Sequence, residues 1–410
     1  MIITGLITEY NPFHNGHLYH LEEARKRTGA DFLLAVMSGD FVQRGAPAAA
    51  DKFCRTRMAL LAGADLVLEL PVFYACGSAE YFASGAVSLL DSLGCVDFLC
   101  FGSECGELSP LMAAADALSL ESPDYQTRLR AELKSGKTFP AAREAAFLAC
   151  QETLPESGVL SSPNNLLGIE YLKALSRLGS SIRPVCVKRI GDYHSQELTG
   201  AFSSASAIRH SLSGGKSPER LAASMPPRIL DVFMEALKNK PLPSLDDYSQ
   251  TIQYLLLKAQ SWEELSKIQD FSPELARRMF SLRGRFVSAS DFAAMAKSKQ
   301  YTLSRIRRCL AHLLLDIRAA DVERARSCGW NAYARVLGFR KSSGPLLAEI
   351  KKKSALPLIT KLADAPSLLT DPGRRMLDAD LFASSVWHMT DPSRPDGPIF
   401  EEQRVPLVLV

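Results

Sequence analysis

The sequence predicts an α/β fold class: a Rossmann-like, doubly wound parallel sheet over residues 1–214, followed over residues 215–410 by a mainly α-helical domain with a terminal extension. Three observations predict it. Up to about residue 101, short and nearly continuous apolar runs alternate with amphipathic stretches, the pattern of buried parallel strands joined by crossover helices. The first apolar run hands over to a helix through a loop punctuated by Asn, Pro and Gly. Beyond about Gly215, Pro and Gly become sparse within segments and apolar positions recur at helical spacing.

Taken in order, residues 1–8 (MIITGLIT) are a β-branched apolar run and read as the first strand. Asn11, Pro12, Asn15 and Gly16 punctuate the following EYNPFHNGHLYH, and Leu18, Leu21, Ala24 and Arg25 then mark an amphipathic helix ending near Gly29. Residues 31–38 (DFLLAVMS) read as a strand, 51–62 as a helix, 65–70 (DLVLEL) as a strand stopped by Pro71, 78–93 as a helix and 96–101 (VDFLCF) as a strand before Gly102. Right-handed β-α crossovers bring the carboxyl ends of such strands to one crevice, where ligands bind. That gathers residues 8–17, 38–44, 69–71 and 102–104.

Residues 109–149 are mainly helical with a break at SGKTFP, 135–140. SSPNNLLGIEYLKAL caps a helix over about 166–178, with Asn164 and Asn165 as cap or site residues, and 182–188 is a further strand running into KRIGDYH. FSSASAIR then places a second cap before Arg209. In the second half, 216–240, 251–267 and 273–283 read as helical, PLPSLDDYS as a turn, and the end from Pro366 as turn-rich, with VPLVLV adding a strand to a small sheet or docking on the core.

Composition bounds the class. A chain of 410 residues, 47% hydrophobic and 23% charged, buries a large core and by length suggests about two or three domains. Its nine cysteines fall mostly in apolar runs without a paired CxxC set, so buried thiols in a reducing compartment are expected, with neither a zinc site nor a disulfide framework. No signal-like start and no run of membrane-spanning length point to a cytoplasmic protein with no membrane partner. A net charge of +3 neither demands nor excludes nucleic acid. No obligatory protein partner is apparent.

The chemistry concentrates in His-x-Gly-His. His14 and His17 flank Gly16 at a helix start, where unpaired N–H groups and a partial positive charge attract phosphate and a small residue admits a nucleotide to the backbone. Ring N–H groups there can bind a triphosphate and strengthen as charge develops on the leaving pyrophosphate; the alternative is a pair of turn and capping histidines. Arg209 offers a fixed fork for phosphate oxygens. Gln43 and Arg44 read as phosphate or RNA contacts, Lys52 and Arg55 as crevice cations or a solvated helix face, and Asp40 as a histidine-orienting or turn residue. No metal-ligand set is visible, so Mg2+ would be held by ATP phosphates and water. In the second half, Lys297, Lys299, Tyr301, Arg305, Arg307 and Arg308 in KSKQYTLSRIRR, then Arg340 and Lys341 in RVLGFRK, and the lysines at 351–353 are basic runs with aromatics, either RNA-binding or solvated surface.

The strand-loop-helix with HNGH and the later Ser-Ser-x-x-x-Ile-Arg resemble the nucleotidyltransferases that share the HIGH motif with class I aminoacyl-tRNA synthetases. More closely, EYNPFHNGHLYH, MSGDFVQRGAPA, LVLELP, FGSE, PNNLLGIEYLKAL and SKQYTLSRIRR look like the bacterial tRNA(Met) cytidine acetate ligase family over most of the chain. That resemblance implies activation of acetate by ATP as acetyl-adenylate and transfer of the acetyl group to N4 of the wobble cytidine, position 34, of elongator tRNA(Met). It implies an ATP site of Ile7, Thr8, Glu9, Tyr10, Asn11, Pro12, Phe13, His14, Asn15, Gly16, His17, Leu18, Tyr19 and His20, with Gly102, Asn165, Arg189 and Ile190. SSASAIR lacks the lysines of the synthetase KMSKS signature, which leaves that cationic role to Arg189 and Arg209. A cofactor-type adenylyltransferase acting on a small phosphate ester and a noncatalytic RNA-binding protein remain the alternatives.

Overall fold

The computed structural model describes residues 1–120, 123–137, 139–150, 159–160, 162–191, 197–198, 200–213, 218–238, 241–390 and 399–410. Its strands are β1 (Ile3–Thr8), β2 (Phe32–Ser38), β3 (Phe41–Val42), β4 (Ala46–Pro47), β5 (Leu66–Leu70), β6 (Phe98–Ser103), β7 (Arg183–Lys188), β8 (Ala334–Phe339), β9 (Leu358–Ile359) and β10 (Val408–Leu409). β3 and β4 make a small antiparallel hairpin, while the others form one sheet in the order β10-β8-β5-β2-β1-β6-β7, with β9 on β8.

From β5 through β7 the pairs are parallel, with β1 central between β2 and β6. The order turns at β1, so the crevice opens above its carboxyl end. Three aspartates at strand starts stitch this region. Asp31 accepts from the Ile2 N–H, Asp65 from the Leu33 N–H and Asp97 from the Ile3 N–H, at 2.7 to 2.8 Å, which satisfies donors that the ladder leaves over at its edge. On one face the helices Asn15–Thr28 and Lys52–Leu61 cover Leu6, Ala35 and Val67, and on the other Ala79–Ser92 and Pro163–Leu178 cover Ile3, Val36 and Leu99. Strands buried on both faces are why these runs are apolar throughout.

The second half departs from expectation. The boundary drawn at residues 214 and 215 lies outside the described residues, and it does not divide sheet from helices, because β8 returns antiparallel against β5 and β10 pairs with β8. RVLGFRK, read as a basic run that binds RNA or is solvated surface, is therefore largely strand. Arg335 is only 4% exposed, bonded to Glu69 at 2.8 Å and to Glu402. Lys52 completes the cluster, 2.7 Å from Glu69 and 2.8 Å from Glu402. Two buried cations and two buried carboxylates thus tie the second helix, β5, β8 and the C-terminal turn together. Within the stretch from Pro366 that was read as turn-rich, the described residues include the helix Asp371–His388, its proline in the first turn where no N–H is needed. VPLVLV adds its strand to the main sheet.

Candidate active site

A cavity of about 400 Å³ opens above β1, β6 and β7. His14 and His17 stand at its base. His14 is the N-cap of the helix Asn15–Thr28; its Nδ1 accepts from the Gly16 N–H at 3.0 Å, and the His17 Nδ1 accepts in return from the His14 N–H at 3.3 Å. Histidines here play the parts that Ser and Glu play in a capping box. With both Nδ1 atoms accepting, each ring carries its proton on Nε2. The rings stack at 3.8 Å, and Tyr10 and Phe13 pack against His17 at 5.0 and 5.5 Å. The structure shows the capping arrangement, and the cap fixes a tautomer with its proton on Nε2.

Electrostatics keep the rings neutral. Burial, then the guanidinium groups of Arg189 and Arg209, push His14 down to about 3. His17 is held well below its ordinary value by burial, then by His14 and Arg189. His20, whose Nε2 lies 3.6 Å from the Cys100 Sγ, is pushed down to about 4 by burial and then Arg189. Neutral imidazoles beside arginines form a donor-rich, cationic pocket suited to a polyphosphate.

The later motifs frame the opposite wall. At the end of β6, the Asn165 Oδ1 accepts from the Glu104 and Cys105 N–H groups at 2.9 and 3.3 Å, while the Glu104 carboxylate accepts from the Asn164 side chain and the Asn165 N–H at 2.6 and 2.9 Å. FGSE and PNN are thus one interlocked unit, with Glu104 capping the helix Pro163–Leu178. Asn165 is buried behind the wall, and Asn164 lines the cavity instead. A Cβ on Gly102 would sit 3.1 Å from the Arg189 Cγ, so that glycine seats the arginine. Ser204, whose Oγ accepts from the Ala207 N–H at 3.1 Å, starts the helix Ala205–Ser213, and Ser206 and Arg209 line the cavity from it. Arg209 also donates to the Asn11 carbonyl, tying this helix to the HNGH loop. The distal end of KRIGDYH lies outside the described residues.

Several expected contacts are support instead. Gly16 does not line the cavity; a Cβ there would meet the His14 Cε1 at 2.8 Å, so the absence of a side chain makes room for that ring. Asn15 donates to the Ala201 and Ala223 carbonyls at 2.9 Å, holding the serine loop. Pro12, Phe13, Leu18 and Tyr19 lie off the cavity, Phe13 in the core, and Ile190 is 43% exposed away from it. Ile7, Thr8, Glu9, Tyr10, Asn11, His20, Gly102 and Arg189 do line it. Arg55, fully buried, donates to the carbonyls of Glu9, Ser38, Gly39 and Ala50, and Asp40 accepts from the Lys52 N–H at 2.7 Å. Neither Lys52 nor Arg55 touches solvent or crevice, which corrects both readings of that helix.

The second half also closes the cavity. Leu242 to Leu245, Ser290 and Arg307 line it, together with Gln43 and Arg44 of the β3–β4 hairpin. Gly45, at φ 69°, packs so closely on the helix Leu303–Leu314 that a Cβ would lie 2.4 Å from the Arg308 nitrogen. Of the basic residues expected to meet RNA, Arg305 donates to the Asp270 carbonyl, Arg308 pairs with Asp270 at 2.6 Å and Tyr301 is 5% exposed. Burial denies that ring to a base. Arg340 lies 4.0 Å from Asp65, whereas Lys297, Lys299 and Lys341 are exposed. Arg307 was singled out as an RNA contact and not as a crevice residue, and Leu242 to Leu245 and Ser290 went unnoticed because no local motif announces them; only the contact of hairpin and helix assembles them.

Among the described residues no three His, Cys, Asp or Glu side chains gather to hold a metal, and no helix is long and apolar enough to cross a membrane. All nine cysteines are free thiols.

A sequence model of the family described as HIGH Nucleotidyl Transferase matches residues 1–397. The chain is 41% identical over 396 residues to the tRNA(Met) cytidine acetate ligase of Acetivibrio thermocellus, covering 95% of each. It is 45% identical over 385 residues to that of Caldanaerobacter subterraneus subsp. tengcongensis, covering 93% of this chain and 94% of the relative. Thermotoga maritima TmcAL bound with alpha-thio ATP has the same fold, with a TM-score of 0.91 and 34% identity over 100% of both chains. The chain therefore belongs to the tRNA(Met) cytidine acetate ligase family of HIGH nucleotidyltransferases.

Proposed function

We propose that this protein is an ATP-dependent ligase that activates acetate as acetyl-adenylate and transfers the acetyl group to N4 of the wobble cytidine, position 34, of elongator tRNA(Met), in the cytoplasm. The reciprocal capping of His14 and His17 carries the reading, since it presents two neutral Nε2–H donors to a crevice flanked by Arg189 and Arg209. Acetate is a poor electrophile; joining its oxygen to the α-phosphate makes that oxygen part of a good leaving group, AMP. Histidine donors and arginine forks stabilise the charge that gathers on departing pyrophosphate, with no covalent enzyme intermediate. Mg2+ would ride on the ATP phosphates, because the described residues offer it no cage of their own. The second half would hold the tRNA, its exposed Lys297, Lys299 and Lys341 meeting backbone phosphates and Arg307 acting at the crevice.

The test is incubation of the purified protein with ATP, Mg2+, labelled acetate and tRNA(Met). Label on the wobble cytidine with release of AMP and pyrophosphate supports the ligase. Consumption of ATP with a phosphate ester in place of acetate favours the adenylyltransferase, and tRNA binding without turnover favours the noncatalytic reading.

A further inference from the structure

Glu9 is out of place in a phosphate site. Among the described residues lining the crevice, the charged side chains besides it are Arg44, Arg189, Arg209 and Arg307, and a carboxylate turned toward a triphosphate is repelled. Its position is nonetheless fixed. The Glu9 carbonyl accepts from the buried Arg55 guanidinium at 2.8 Å, and its Oε1 accepts from the Gln43 N–H at 2.9 Å. The second bond ties Glu9 to the hairpin beyond β2, whereas Gly102, near the end of β6, and Arg189, just after β7, lie on the other side of β1. The same hairpin packs on the helix that brings Arg307 to the crevice. Buried Phe82, Phe101 and Tyr171 line the cavity as well and offer a planar base an apolar wall.

A carboxylate on the hairpin side of a crevice that aromatic rings line, across β1 from Arg189, suits an exocyclic amine: Asp and Glu accept from cytosine N4–H. We propose that Glu9 receives the N4 amino group of the target cytidine and is the general base for acetyl transfer, an inference that rests on the ligase reading above. The N4 lone pair forms the new bond to the acetyl carbon. The bond from that carbon to the AMP phosphate oxygen breaks, its electron pair leaving on AMP. The N4 proton passes to the Glu9 carboxylate and from there to water. The amine of cytosine is a weak nucleophile because its lone pair is shared with the ring, so removal of the proton is where a base contributes most.

Glu9→Gln tests this, because the amide oxygen still accepts from the Gln43 N–H while the amide cannot take a proton. Two rates are compared. The first is acetate-dependent ATP–pyrophosphate exchange, measured with tRNA(Met) carrying uridine at the wobble position, and the second is acetyl transfer to normal tRNA(Met). The variant is expected to lower transfer relative to exchange by about 10²- to 10⁴-fold, in kcat and not in KM for tRNA. Glu9→Asp is expected to recover part of the loss. Exchange and transfer falling in parallel would assign Glu9 to the nucleotide and overturn the proposal, as would undiminished transfer. Absence of both activities in the unmodified protein would instead overturn the ligase reading beneath it.

Discussion

His14→Asn separates the capping role that the structure shows for this ring from the phosphate-donor role proposed for it. As N-cap, His14 accepts from the Gly16 N–H at 3.0 Å through Nδ1; an asparagine oxygen does the same and ranks among the best caps. As ligand, His14 presents Nε2–H to the crevice, and an asparagine side chain is too short to replace it. Removing one such donor from a developing charge costs about 2.7–4 kcal/mol, or roughly 10²- to 10³-fold in rate. The lost stack on His17, 3.8 Å between ring centres, is a packing loss of about 1 kcal/mol. His14→Ala loses the cap as well, adding about 1 kcal/mol of instability. Both variants should therefore be equally poor in acetate-dependent pyrophosphate exchange, yet the alanine variant should unfold at lower urea concentration. If His14→Asn kept exchange within about threefold of the unmodified protein, the donor role would be refuted. If exchange followed stability across the two variants, the histidine would be a cap alone.

Acid should destabilise the native state through the buried imidazoles. His20 is pushed down to about 4 by burial and then Arg189, so between about pH 6.5 and 4 the unfolded chain binds a proton that the native chain refuses; the stability is present above 6.5 and lost as pH falls, at up to about 1.4 kcal/mol per pH unit. Urea unfolding at pH 7.5 and 5 should show the unmodified protein losing ground to His20→Gln, and a pH-independent gap would contradict this. Lys52→Met strands Glu69 and Glu402 beside Arg335; the expected cost in urea unfolding is about 3–5 kcal/mol, and a loss under about 1 kcal/mol would show the cluster to be dispensable. Arg305→Ala, which cuts two bonds to the Asp270 carbonyl, should cost about 1–2 kcal/mol of stability and leave the salt dependence of tRNA binding unchanged. Arg307→Ala should do the reverse, sparing stability and lowering acetyl transfer. A flatter salt slope in Arg305→Ala would return that side chain to the RNA surface.

What the sequence made legible was local. The loop between β1 and its helix, the parallel order of β1, β2, β5 and β6, and the serine cap before Arg209 follow from neighbours a few residues apart. What escaped it depends on distant partners. Arg335 reads as a surface charge until Glu69 and Glu402 are beside it, and nothing within RVLGFRK announces either carboxylate. Lys52 and Arg55 have the helical spacing of a solvated face, but the carbonyls that absorb Arg55 include those of Glu9 after β1, Ser38 at the end of β2 and Gly39 just after it. Tyr301 sits among basic residues as a stacking aromatic would, yet its ring fills the helical core. Gly16 was legible as an obligatory small residue, and the neighbour that demands it in the structure is the ring of His14.

His14 and His17 are proposed to meet phosphate as neutral rings protonated on Nε2. Selective ¹⁵N labelling of the seven histidines, with each site resonance assigned by single substitution, reads the tautomer and charge of each ring by NMR as pH is lowered. Both signals should show an unprotonated Nδ1 and a protonated Nε2 from neutral pH down to about pH 5, with the Nε2 resonances moving when an ATP analogue is added. Rings that are doubly protonated at pH 6, or that carry the proton on Nδ1, would contradict it.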